Sequence, residues 1–250
     1  MTSHSKPSLL FLFALFLSMA ACTQASPTTP PSSSPPTEPP TLTITPRPSA
    51  SPTVAPTPTI TASPMASPFP EPAGCLPPPD DYSRITVNGQ TFNRRTLAML
   101  QHAASIYSGP IDIANTALTQ GSYTSGEELS FGTHSGGGAV DLSVLARDRY
   151  EILWDEIPDV LLALRLAGFA AWLRQYGELS TGSPIHIHAV AIGDAELSAA
   201  ARDQIIGPYG YFRGYNGLPP EFGGPSLDIY GEPILCNWMR QLGYQDLRNP

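Results

Sequence analysis

Four side chains in two short segments have the types and spacing to hold a divalent metal. The first segment reads Gly132-Thr133-His134-Ser135-Gly136-Gly137-Gly138-Ala139-Val140-Asp141-Leu142. The second reads Ser183-Pro184-Ile185-His186-Ile187-His188-Ala189-Val190. Residues two apart in an extended strand share a face, so His186 and His188 are expected side by side. His134, Asp141 and a histidine of the second segment then make a His, Asp, His set. Three protein ligands with an open fourth position is the catalytic zinc pattern. Zinc held that way lowers the pKa of its bound water toward ~7 and polarises a carbonyl. The glycines at 136–138 let the backbone turn sharply and leave the metal face open. A single strand histidine is ordinarily a hydrogen-bonded structural residue, but three in this spacing beside an aspartate are poorly explained that way. The only other histidines are His4 and His102. Gly136-Gly137-Gly138 lacks the lysine of a phosphate loop. Ser135 lacks the Gly-x-Ser-x-Gly frame of a serine nucleophile.

These residues need strands to carry them. The apolar spacing of Leu97, Leu100, Ala104 and Ile106 predicts a helix over Asn93–Tyr107, stopped by Ser108-Gly109-Pro110. Strands are expected over Ile111–Thr119, Gly138–Val144, Ala170–Arg174 and Ile185–Ile192, with a glycine- and serine-rich loop over Gly121–Gly132. A second helix over Asp155–Ala167 has Pro158 near its start and Gly168 after its end. Ser198 caps a short helix to Ile206, residues 207–234 read as a long covering loop, and Asn237–Leu247 as a last helix. Helices before, between and after strands indicate an α+β domain. Trp154, Trp172 and Trp238 read as core or rim residues. Tyr209, Tyr211, Phe212 and Tyr215 either line a peptide cleft or pack within the covering loop.

His134-x-x-Gly137-x-Ala139-x-Asp141 resembles, position for position, the zinc motif of D-Ala-D-Ala carboxypeptidases and dipeptidases, a spacing that also occurs in the hedgehog signalling domain. Ala167-Gly168-Phe169 and His186-Ile187-His188 are similar to the hedgehog Ala-Gly-Phe and His-Ile-His. The resemblance covers roughly residues 111–194. It implies the LAS-type zinc peptidase fold, with a central antiparallel sheet and flanking helices, and a bound Zn2+. It makes His134 and Asp141 ligands, His188 the third ligand, and His186 the catalytic partner that assists the attacking water or steadies the oxyanion. Aligning Ser183-Pro184-Ile185-His186 with the carboxypeptidases' Glu-Pro-Trp-His would instead make His186 the ligand; the His-Ile-His match needs no other substitution and is preferred. Two family residues are missing. The general-base Glu is replaced by Ser183 or Ile185, leaving His186, Glu178 or Glu127 as candidate bases. The arginine of the family's Gly-Tyr-Arg-Ser is replaced by Thr124 in Gly121-Ser122-Tyr123-Thr124-Ser125.

The rest of the 250-residue chain supplies an address and a spacer. Lys6 precedes an apolar run from Leu9 to Leu17 that is too short to span a bilayer comfortably. Met19-Ala20-Ala21-Cys22 resembles a bacterial lipobox, which implies a signal peptide over 1–21 and a lipid-modified Cys22. Residues 22–74 are mostly Pro, Ser, Thr and Ala; 19 of the chain's 29 prolines fall between Ser26 and Asp80. Such a segment cannot bury enough apolar surface to order itself. It is expected to be a disordered, partly polyproline tether, reaching on the order of 150 Å if fully extended. Residues 75–250 are then the folded domain. Its cysteines, Cys75 and Cys236, sit near its two edges, and in an exported protein a disulfide between them is expected.

Thirteen basic against twenty-one acidic residues give a net charge of -8 with no basic cluster, which argues against nucleic acid as a partner. These readings lead to an extracytoplasmic, lipid-anchored protein, expected to be a monomer. Its zinc metallopeptidase-like domain would act on peptidoglycan stem peptides of the cell wall. The alternative is a non-catalytic, zinc-stabilised module that binds cell-wall peptide or a protein partner.

Overall fold

The computed structural model describes residues 70–125 and 131–248, all within one compact unit spanning 62–250. The expected signal peptide, Cys22 and nearly all of the tether lie outside the described residues. Contacts to the domain begin before Cys75. The Glu71 carboxylate accepts from the Asn237 backbone amide at 2.9 Å, and the Gly74 carbonyl accepts from His102 Nε2 at 2.7 Å. Among the described residues no helix is long and apolar enough to cross a membrane.

The architecture is mixed α+β with antiparallel sheets. A hairpin of β1 (Arg84–Val87) and β2 (Gln90–Asn93) leads into α1 (Arg94–Ile106). The hairpin is absent from the sequence reading, although Asn88-Gly89 is a strong turn signal: both residues have positive φ, 50° and 77°, as a two-residue primed turn requires. Asn93 caps α1, its side chain accepting from the Thr96 amide at 2.8 Å. A four-stranded sheet follows in the order β3-β4-β6-β5: β3 (Leu118–Gln120), β4 (Ala139–Ser143), β6 (His186–Ala191) and β5 (Phe169–Arg174). Between β4 and β5 runs α2 (Ile157–Leu166). After β6 come α3 (Ala199–Ile206) and the short α4 (Asn237–Gln241).

Two expectations need correction. Ile111–Thr119 is not a strand: Asp112 gathers the chain into turns, its carboxylate accepting from the Thr116 amide and hydroxyl and its carbonyl from the Ala117 amide, and only Leu118–Gln120 joins the sheet. The last helix ends at Gln241, because the chain turns through Gly243 at φ 92°.

The sheet separates two cores. Val140, Leu142, Ala171, Leu173, Ile187 and Ala189 face α1 and α2 in one cluster. Ala139, Ala170, Trp172 and Val190 face α3, α4 and the loop over 207–234 in the other. Strand alternation therefore puts every second residue of β4, β5 and β6 on the side that carries the histidines. The loop is pinned by a buried pair, Arg165 Nη2 to Asp228 Oδ2 at 2.5 Å.

Cys75 and Cys236 form a disulfide across 161 residues. A loop of that length corresponds to about 4–5 kcal/mol in the chain-entropy account. Reduction is expected to lower the melting temperature of the full chain by roughly 10 °C. Unfolding followed with and without reductant checks this, and thiol labelling without reductant should find neither cysteine free. An unchanged melting temperature after complete reduction would count against the stapling role.

Candidate metal centre

Each candidate ligand is fixed by the element that carries it. His134 lies in a 3-10 turn (Thr133–Ser135) just before β4, Asp141 at the centre of β4, and His188 near the centre of β6. Asp141 and His188 are direct cross-strand partners, and such neighbours project from the same face. The turn at 133–138 must come close to the segment before α3. A side-chain carbon on Gly136 would collide with the Glu196 carbonyl and the Ser198 amide, and Gly138 has φ 78°. The Gly137 amide donates to the Glu196 carbonyl at 2.7 Å and locks the approach.

One ligand atom each from His134, Asp141 and His188 lies within 4.8 Å of the others, and all three residues are buried. His188 Nδ1 and Asp141 Oδ1 are 2.7 Å apart, and His134 Nε2 is 3.3 Å from both. The far nitrogen of each imidazole has an acceptor. His134 Nδ1–H donates to the Gly121 carbonyl at 2.8 Å, and His188 Nε2–H donates to Gln204 Oε1 at 2.9 Å. These bonds turn the other ring nitrogens, His134 Nε2 and His188 Nδ1, toward Asp141. Outer partners of this kind are what metal-binding histidines use to fix tautomer and ring orientation. Gln204 is itself held, its Nε2 donating to the Gly217 carbonyl at 3.1 Å.

Burial pushes the His188 imidazole down to about 4, despite Asp141 beside it, so it is neutral at pH 7. Burial alone would raise the Asp141 carboxyl, but His134 and His188 hold it well below the usual carboxylate range. A neutral His188 imidazole and an ionised Asp141 carboxylate are protonation states that suit a metal.

His186 stands beside this set. Its Nδ1–H donates to the Pro184 carbonyl at 2.8 Å, and its Nε2 is 3.7 Å from Asp141 Oδ2. The converging atoms are therefore those of His134, Asp141 and His188, with His186 one position outward.

These residues line a cavity of about 350 Å³ together with Gln120, Phe131, Ser143, Leu179, Ile185 and Arg174. Asp141 is its only acidic lining group and Arg174 its only basic one among the described residues. Glu178 does not line it; its carboxylate accepts from the Gln175 amide. Glu127 lies outside the described residues. Thr124 is not among the lining residues, and its buried hydroxyl has no hydrogen-bond partner. Ser135 donates to the Gly132 carbonyl on the surface. Tyr209, Tyr211, Phe212 and Tyr215 are not in the lining: Tyr211 and Phe212 pack in the second core. Trp172 is buried and stacks on His188 with ring planes 13° apart.

Sequence reasoning missed Gln204 and Arg174, though both had a signal. Ala201, Gln204 and Ile205 fall on the buried stripe of α3, and a glutamine there needs a polar partner. Arg174 continues the Ala170, Trp172 alternation onto the histidine face. It is the direct cross-strand partner of His186, as is Ser143 from the other side.

Three site residues also hold the covering loop at successive carbonyls. Trp172 Nε1 donates to Tyr215 at 2.9 Å, Arg174 Nη1 to Asn216 at 2.7 Å and Gln204 Nε2 to Gly217 at 3.1 Å.

No protein-family model, curated protein or solved structure matches this chain.

Proposed function

We propose that the domain is a zinc metallopeptidase that hydrolyses peptide bonds of peptidoglycan stem peptides, carried by a lipid-anchored protein outside the cytoplasm. The observation that carries this reading is the convergence of His134 Nε2, Asp141 Oδ1 and His188 Nδ1 at the floor of an open cavity, with each imidazole's other nitrogen already donating to an acceptor. That donor set suits zinc, and a fourth position open to the cavity suits catalysis more than a closed structural site. The order of the two histidine motifs, with α2 between them and antiparallel strands beneath, supports assignment to the LAS-type fold.

Zinc bound there supplies a Lewis acid for the scissile carbonyl and an acidified water. The chain's own groups do the rest. Asp141, His134 and His188 hold the ion. His186, with its Nδ1 proton committed to Pro184, presents its Nε2 toward the site. It is the group placed to take the attacking water's proton and return it to the leaving amine. Phe131, Leu179 and Ile185 give the cavity apolar walls for a peptide.

The second reading, a non-catalytic zinc-held binding module, draws on one observation: no carboxylate besides Asp141 lines the cavity among the described residues. The test is digestion of purified muropeptides by the full chain, zinc-loaded or stripped with chelator, with products read by mass spectrometry. Zinc-dependent cleavage is expected. Absence of any product across several cross-link types, with zinc bound, selects the binding module.

A further inference from the structure

The cavity contains a cation that the mechanism above does not use. The Arg174 side chain is almost wholly buried, at 1 % exposure for the residue. Its Nη1 donates to the Asn216 carbonyl at 2.7 Å, and its guanidinium lies 5.4 Å from the Trp172 ring, which fixes its orientation. Its Nη2 is buried and has no hydrogen-bond partner, and Arg174 forms no ion pair among the described residues. Taking a guanidinium out of water and leaving one of its nitrogens unpaired is costly. Buried polar groups left unsatisfied in this way often mark a ligand's place. Arg174 sits directly across from His186, one strand position outward from His188 and Trp172, so it stands beside the ligand set and within the cavity lining. Zinc at +2, Asp141 at -1 and Arg174 at +1 would leave the cavity electropositive and selective for an anionic group.

We propose that Arg174 is a specificity-determining residue that receives the free C-terminal carboxylate of a peptide held over the metal centre. The assignment rests on reading the cavity as a peptide site, and it restricts the substrate class to peptides ending in a carboxylate close to the scissile bond. A guanidinium suits a carboxylate because its planar N–H groups match the two oxygens. Thr124, in the sequence slot where the resembling peptidases carry an arginine, does not reach the cavity, so Arg174 would provide the positive charge from a different strand.

Calorimetric titration of the full chain with N-acetyl-D-alanyl-D-alanine and with its C-terminal amide tests this, zinc-loaded and chelator-stripped. The acid should bind the wild-type protein about 10-fold or more tightly than the amide, the worth of one charge-assisted hydrogen bond. Arg174→Met should erase that preference while zinc content and amide affinity stay unchanged, and Arg174→Lys should restore part of it. Equal affinities in the wild type, no measurable binding of either probe, or a preference that survives in folded Arg174→Met would overturn the proposal. A carboxylate bound only to the metal gives that last result. If Arg174→Met does not fold, the acid-to-amide ratios of the wild type and of Arg174→Lys decide. An Arg174-dependent preference in a protein that takes up no zinc would uphold the carboxylate site while removing the metallopeptidase reading.

Discussion

Exchanging His188 for alanine in the full chain is expected to abolish retention of zinc through dialysis. His188 makes the shortest approach within the set, 2.7 Å to Asp141, and lies 3.3 Å from His134. Its removal leaves two donors, one of them a buried carboxylate with half its compensation gone. The loss should exceed the ~10–100-fold that follows removal of an outer hydrogen-bond partner. Gln204→Leu supplies that comparison, because it keeps all three ligands and strips the acceptor behind His188 Nε2, along with the bond to the Gly217 carbonyl. Metal analysis after dialysis, with competition against a chromophoric chelator, reads both variants. Stoichiometric zinc in folded His188→Ala would sink the ligand assignment and point to His186 as the true donor.

His186→Ala is expected to do the opposite: zinc stays and turnover falls. A positioned base or acid is typically worth ~10²–10⁴ in rate, and apart from the three converging ligands His186 is the only imidazole or carboxylate lining the cavity among the described residues. The fall should appear in kcat with little change in KM, since the 3.7 Å approach to Asp141 gives His186 a place beside the reacting atoms and no role in holding the ion. Steady-state hydrolysis of a muropeptide beside metal analysis separates the two effects. Loss of zinc together with activity would make His186 a ligand. Unchanged activity would move the base elsewhere, with Glu178 the next group to test.

The converging His134, Asp141 and His188 set was legible in the sequence because its geometry follows from short-range rules. Strand alternation places His186 and His188 on one face, and the glycines after His134 allow the chain to fold back beside β4. Strand alternation alone does not choose between the two histidines; the preference for His188 rests on the resemblance of the His-Ile-His segment. The choice depends on register, Asp141 opposite His188 and Ser143 opposite His186; a two-residue slip would set His186 against Asp141, while a one-residue slip would turn both histidines to the other face. Arg174 was hidden for a related reason: at the end of an apolar run it reads as a strand boundary, and only the cross-strand pairing brings it next to His186. The Ile111–Thr119 strand failed because loose apolar alternation was given more weight than the turn-forming side chain of Asp112. The Asn88-Gly89 hairpin was overlooked in plain view. The disulfide could be anticipated from cysteine position and compartment, since only two cysteines remain once Cys22 is set aside.

Tyr215, Asn216 and Gly217 offer three consecutive oxygens to Trp172, Arg174 and Gln204. Their spacing acts as a ruler laid across the cavity floor: the stacking tryptophan, the buried guanidinium and the amide behind His188 are all indexed to the same three peptide units. Length changes farther along, toward Glu221 or Gly231, can be absorbed outside that ruler. A single insertion between 215 and 217 would put all three out of step at once, so tolerance to insertion should drop abruptly at those positions even though none of them lines the cavity.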